Sequence, residues 1–284
     1  MRFGKVAVAV VALSALVGSL AACGDDAKPV ALTVKASSSD GKFAFDMPKE
    51  IDGGVVDLTL DNTDSQPHEL GMVRVKAGTT PDEVTKQLLD SGDGAPIPDF
   101  VIDAGGIGFA APGKQVTASQ DLTPGTYVYF CTFGDGDAVH YKNGMLGSVT
   151  VKGTKGGGDL PDSTESITAK EYSFTAKDLT AGTHKLLFKN DGPKQVHHAQ
   201  LFPIAEGSTF ADVKTFFESE GEPSGPPPVD FDNGGGTTVL GPGQQQVVDM
   251  TLKPGKYVLL CFLSDRAGGP PHFTKGMLQE VTVK

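Results

Sequence analysis

The sequence predicts an all-β chain made of two copies of one β domain, and three observations carry that prediction. Apolar and polar residues alternate in short runs closed by Gly, Asp, Ser or Pro, as in ALTVKAS, FAFDMP and VVDLTLDN. That is the period of a half-buried strand with the punctuation of turns. Glycine (37) and proline (19) are plentiful and tryptophan is absent, which suits a turn-rich β protein. The stretch PGKQVTASQDLTPGTYVYFC, ending at Cys131, aligns without a gap on PGQQQVVDMTLKPGKYVLLC, ending at Cys261, and marks a repeated unit. With 284 residues, each copy has enough chain to bury its own core.

The segments follow in order. Residues 1–22 place Arg2 and Lys5 before an apolar run that ends in small residues, the layout of a secretion signal. Leu20-Ala21-Ala22-Cys23 resembles the lipobox of bacterial lipoproteins, which implies cleavage before Cys23, acylation of its sulfur and a lipid anchor on the outer face of the cell membrane. Residues 23–30 read as a tether, 31–152 as the first domain, 153–165 as a Gly-rich polar linker and 166–284 as the second domain. Removing the signal leaves 22 basic against 35 acidic residues, a formal charge of -13. Such a surface repels nucleic acid and anionic headgroups and steers basic partners inward.

Each copy also carries one helix signal. In TTPDEVTKQLLD, Thr80 caps, Pro81 suits the first turn, Glu83 completes a capping box, and Val84, Leu88 and Leu89 share a face. TFADVKTFFES answers with Thr209, Asp212, Val213, Phe216 and Phe217. These apolar stripes read as core contacts.

After each repeated strand comes a second correspondence: CTFGDGDAVHYKNGM from Cys131 and CFLSDRAGGPPHFTKGM from Cys261. Upstream, NTDSQPHELGMV and NDGPKQVHHAQLF each hold a further histidine. With His68 inward, alternation puts Leu70 and Met72 inside and Glu69 outside. The matching choice in the second copy is His197, with Ala199 and Leu201 inside and His198 outside, although one inserted residue in the preceding turn leaves a slip to His198 open. His68, Cys131, His140 and Met145 then correspond to His197, Cys261, His272 and Met277 at separations of 129 to 132 residues. Two imidazoles, one thiolate and a weak thioether are the donors of a blue copper electron-transfer centre.

With these residues in place, the mature chain resembles the cupredoxin family, the plastocyanin and azurin type, over nearly its whole length. The resemblance implies two tandem cupredoxin-like Greek-key β-sandwich domains, each with a short helix on a long connection. It also implies one type 1 copper per domain, held by the residues named. The loop at Cys131, with eight residues before His140 and four before Met145, is most similar to that of copper nitrite reductases; the loop at Cys261, with ten residues before His272, is longer. Nitrite reductases and multicopper oxidases carry a histidine beside the blue copper cysteine that leads to a catalytic copper. Here Phe130 and Leu260 stand there, and only His184 and His198 remain outside the eight candidate ligands. His184 reads as a surface or turn residue, Asp135, Asp137 and Asp265 read as turn residues, and no catalytic role is assigned.

The implied function is single-electron transfer to redox partner proteins. In this family the late histidine is typically an exposed edge, so His140 and His272, flanked by Val139, Tyr141, Pro271 and Phe273, are the expected docking surfaces. Competing readings are copper capture or delivery, zinc binding, a metal-free interaction module, and a disulfide between Cys131 and Cys261.

Overall fold

A computed structural model describes residues 28–90, 94–134, 138–219 and 225–284. Cys23 with its signal, Asp135 and Asp137 lie outside the described residues. The first half runs β1 (Val30–Ser39), β2 (Lys42–Asp46), β3 (Glu50–Asn62), β4 (His68–Val75), α1 (Pro81–Asp90), β5 (Val101–Ala110), β6 (Gln115–Leu122), β7 (Gly125–Phe130) and β8 (Leu146–Gly156). The second half repeats this as β9 (Glu165–Lys170), β10 (Ser173–Lys177), β11 (Gly182–Asn190), β12 (Gln200–Pro203), α2 (Phe210–Glu218), β13 (Gly235–Gly236), β14 (Gln245–Leu252), β15 (Gly255–Leu260) and β16 (Leu278–Val283).

Neighbours repeat as well. β1, β3 and β6 lie side by side and β8-β7-β4-β5 form the opposing layer; β9, β11 and β14 face β16-β15-β12-β13 in the same order. The first strand is parallel to the third in both halves. Each half is therefore a Greek-key β-sandwich. The two layers of the first half touch where β3 pairs with β8 in parallel and the register shifts around Gly53.

Alternation explains why these segments are strands. Along β3, Val56, Leu58 and Leu60 are buried while Asp57, Thr59 and Asp61 are not, and β11 buries Leu186 and Phe188 in the same way. Each such side chain contributes about 1.5–3 kcal/mol by leaving water. The helices start where their caps put them. Thr80 and Glu83 exchange the reciprocal bonds of a capping box, and Thr209 does the same with Asp212. Val84 and Val213 are buried, whereas Leu89 is 43% exposed, contrary to the shared apolar face expected of it. It sits one residue from the helix end, beyond the strands that α1 covers. The Leu88 side chain lies outside those described.

The two halves share a sheet. β6 pairs antiparallel with β14 through Gln120–Gln246, Ser119–Val247 and Ala118–Val248, so one path of hydrogen bonds crosses the domain boundary. Thr238 Oγ1 and Gln246 Nε2 reach over to the carbonyls of Gly105 and Gly106 at 2.7 and 2.8 Å. β8 continues to Gly156, into the segment expected to be linker. No helix among the described residues is long and apolar enough to cross a membrane.

Candidate metal centre

Two local devices deliver the ligands. The first is the loop after β7. Cys131 N–H donates to the Met145 carbonyl (3.2 Å), Met145 N–H to that of His140 (3.0 Å), and His140 N–H to that of Phe133 (2.8 Å). A 3₁₀ turn over His140–Asn143 ends at Gly144, whose φ of 117° favours glycine. The second half repeats the frame: Cys261 to Met277 at 3.2 Å, Met277 to His272 at 3.1 Å, His272 to Leu263 at 2.7 Å, then a turn over His272–Lys275 and Gly276 at φ 122°. The same backbone frame thus closes both loops although their gaps before the histidine differ, eight residues against ten.

The second device is a buried asparagine that ends β3 and its counterpart β11. Asn62 Nδ2 donates to the carbonyls of Gln66 (2.8 Å) and Ala110 (2.9 Å), and its Oδ1 accepts from Asp64 N–H (3.0 Å). Asn190 repeats this toward Gln195, Leu240 and Gly192, each at 2.9 Å. The turn that leads to the early histidine is thereby pinned to the next layer. His68 opens β4 opposite Ala110, and His197 forms a bridge with Leu240.

His68, Cys131 and His140 converge, as do His197, Cys261 and His272, with the donor atoms of each trio within 4.8 Å of one another. In the first half the edges are 3.0 Å between the two Nδ1 atoms, 3.5 Å from Cys131 Sγ to His140 Nδ1 and 3.8 Å to His68 Nδ1. A circle through these three atoms has a radius of about 2.0 Å, the bond length from an imidazole nitrogen to a transition ion. The second trio shows Cys261 Sγ to His272 Nδ1 at 3.6 Å. Its imidazole centroids are 4.8 Å apart at 56°, against 4.7 Å at 53° in the first. Met145 and Met277 are fully buried in the same core as the cysteines. The thiols are free, each within its own trio, so they are not bridged to one another.

Beyond the donors, the two centres differ. His68 Nε2 lies 3.2 Å from Asp64 Oδ2 and His140 Nε2 lies 3.2 Å from Gln66 Oε1. In the second centre His272 Nε2 lies 3.0 Å from Asp265 Oδ1. Asp265 also accepts from Tyr172 OH (2.8 Å) and Lys275. It is a ligand partner as well as a loop residue, and sequence reading missed it together with Asp64, Gln66 and the two asparagines. Their only sequence signal was that Asp64 and Gln66 fall two and four residues after Asn62, next to a histidine.

Two expectations change. His140 and His272 are not exposed edges: they are 2% and 0% accessible. Phe43 lies over His140 with centroids 4.0 Å apart, and Tyr172 lies over His272 at 5.4 Å. Both aromatics come from the amino-terminal hairpin of their own half, which folds across the centre. His198 is not outside but 9% accessible. It points away from the trio, and its Nε2 accepts from Phe262 N–H at 2.9 Å, as Glu69 Oε1 in the first half accepts from Thr132 N–H at 3.1 Å. His197, with its ring in the trio, is thus the early histidine of the second centre. His184 remains at the surface, its side chain 40% accessible and its Nε2 2.9 Å from the Ala181 carbonyl.

Burial sets the protonation states. It pushes the thiols of Cys131, with a further push from Glu69, and of Cys261 up to about 12. It holds His140 and His197 down to about 4, each with help from its partner imidazole. At pH 7.5 the metal-free trio therefore carries a protonated thiol and neutral imidazoles, so metal uptake is expected to release about one proton per ion, measurable by pH-stat titration. An imidazole whose folded pKa is depressed stabilises the fold above its unfolded value of 6.5, and that contribution is lost as pH falls from there toward 4. The loss is about 3 kcal/mol for each of His140 and His197. Urea denaturation of the metal-free chain at pH 7 and pH 4.5 should show it, and equal stabilities would refute it.

The residues fit a soft transition ion on an observation independent of resemblance: both ring nitrogens of His197 are buried with no hydrogen-bond partner. A neutral ring with no partner leaves one buried donor and one buried acceptor unsatisfied, and an ion bound within the trio would engage the acceptor. A thiolate with imidazoles and a nearby thioether is the donor chemistry of copper.

No protein-family profile matches the chain, and no curated protein does. Among solved structures it is similar to the copper-containing nitrite reductase of Thermus scotoductus SA-01, at 18% identity over 90% of this chain and a TM-score of 0.28. The match spans 62% of that reductase's length. It is also similar to the reduced auracyanin of Roseiflexus castenholzii, at 27% identity over 43% of this chain and 98% of that one, TM-score 0.28. A multicopper oxidase matches at 15% identity over 89% of this chain and 88% of its own, TM-score 0.27. Likenesses with scores this low add nothing to the assignment, which stands on the repeated strand order and the two donor trios. The chain is a tandem pair of Greek-key β-sandwich domains of the kind expected from the cupredoxin resemblance, each with a candidate metal site built from two histidines and a cysteine beside a buried methionine.

Proposed function

We propose that the protein is a lipid-tethered carrier of single electrons with a type 1 copper in each domain. The observation that carries this reading is the closed donor trio, preassembled at bonding radius and sealed from water. Copper, when bound there, supplies a one-electron couple. The chain's part is to hold the donors where neither oxidation state needs them to move, since the loop frame and the asparagine pins fix every ligand from its backbone. Phe43 and Tyr172 favour carriage over delivery: an electron tunnels past a covering ring, whereas an ion must displace it. Met145 and Met277 would supply weak thioether donors, and Cys23 the lipid anchor. The acidic surface suits brief encounters with basic redox partners.

The test is titration of the full chain with cupric ion. Intense absorption near the red end of the visible spectrum at two ions per chain, with a reversible one-electron wave, is expected. Tight cuprous binding without a wave would replace this reading by copper handling. Preference for zinc, or no uptake at all, would refute it.

A further inference from the structure

The ten-residue loop of the second centre does more than span a gap. In the first centre, the carboxylate that holds a ligand histidine is Asp64, supplied by the pinned turn after β3. At the matching place after β11 the chain has Gly192, bonded to the corresponding asparagine Oδ1, so that position offers no carboxylate, and the neighbouring Asp191 pairs with Lys189 instead. The carboxylate of the second centre is Asp265, on the metal loop itself, and it meets the late histidine, His272, where the first centre has Gln66 against His140.

A loop residue can orient a ligand only if the loop is anchored; Tyr172 and Lys275 hold Asp265 from its own domain, and further anchors lie on the first domain. Arg266 directs Nη1 and Nη2 to the Val101 carbonyl at 3.2 and 3.3 Å. Its own carbonyl accepts from Ile97 N–H at 2.9 Å, and Gly269 N–H donates to the Gly94 carbonyl at 3.0 Å. On the other side Arg266 N–H donates to Gln195 Oε1 at 2.8 Å, two residues before His197. Arg266 is thus tied at once to the first domain and to the turn that carries the early histidine, with Asp265 next to it in the chain.

We infer that the first domain is a working part of the second metal centre, and that Arg266 is the positioning residue through which its segment 94–101 holds Asp265 against His272. This rests on the copper reading above.

The experiment uses the full chain. In a Cys131→Ser background, which leaves only the second centre, Arg266→Ala should weaken cupric binding about ten-fold and shift the visible band, the scale on which residues behind a ligand act. Arg266→Lys should restore part of the loss, and Arg266→Ala in a Cys261→Ser background should leave the first centre unchanged. Unaltered affinity and band, or equal weakening of both centres, would overturn the inference. Hydrogen exchange of the metal-free chain decides the matter independently of copper. Peptides covering 262–276 should exchange several-fold faster in Arg266→Ala than in the parent at equal thermal midpoint, and unchanged exchange would overturn the clamp. If Cys131→Ser takes up no copper while Arg266→Ala still loosens the loop, the copper reading falls and the clamp stands.

Discussion

Cys131→Ser will remove one of the two copper equivalents and about half of the visible absorption, and Cys261→Ser will remove the other. Thiolate is the only anionic donor in each trio, and sulfur-to-copper charge transfer is what would give such a centre its colour. A serine hydroxyl neither ionises near neutral pH nor donates softly. The exchange is close to isosteric, so the fold should survive with a penalty of about 1–2 kcal/mol for a buried hydroxyl. Both cysteines are fully inaccessible. Copper per chain, measured by atomic absorption beside the spectrum, checks the result, and the double variant should bind none. A single variant that keeps the full band would mean that the cysteine is not a ligand.

Asn62→Leu and Asn190→Leu should each cost about 3 kcal/mol, because one side chain bonds several backbone groups at once and leucine makes none of those bonds. Ala110 and Leu240 carbonyls are deep acceptors with no other side-chain donor to them among the described hydrogen bonds. The loss should be visible in urea denaturation of metal-free protein. It should also slow metal capture, since the turn before His68 or His197 would no longer be held in register. A change below about 1 kcal/mol would show that water replaces the amide without cost.

Much of this was legible in the sequence because it depended on period or spacing. The alternation in β3 and β11, the two capping boxes and the repeated positions of the histidines, cysteines and methionines are properties of short segments. What was not legible depends on what lies across from a segment. Alternation sends His198 to the face opposite the metal, but α2 and its phenylalanines thicken that side, so the ring is buried there. Nothing near His140 or His272 in the chain foretells that a hairpin about 100 residues earlier covers each of them. Asp265 reads as a turn residue from its neighbours and becomes a ligand partner only when the loop folds back over His272. The same holds for the first-domain segment at 94–101, whose role follows from how two domains meet.

The pairing of β6 with β14 has a consequence for how the whole chain holds together. Ala118 lies opposite Val248, and the two are separated by 130 residues, the same interval as between the cysteines. A strand meeting its own duplicate antiparallel, copy facing copy, places a local dyad between them, so the contact is isologous as in a homodimer. Two otherwise sticky borders thereby cancel each other within one molecule. Proteolytic nicking between residues 157 and 164 should accordingly leave the two fragments associated.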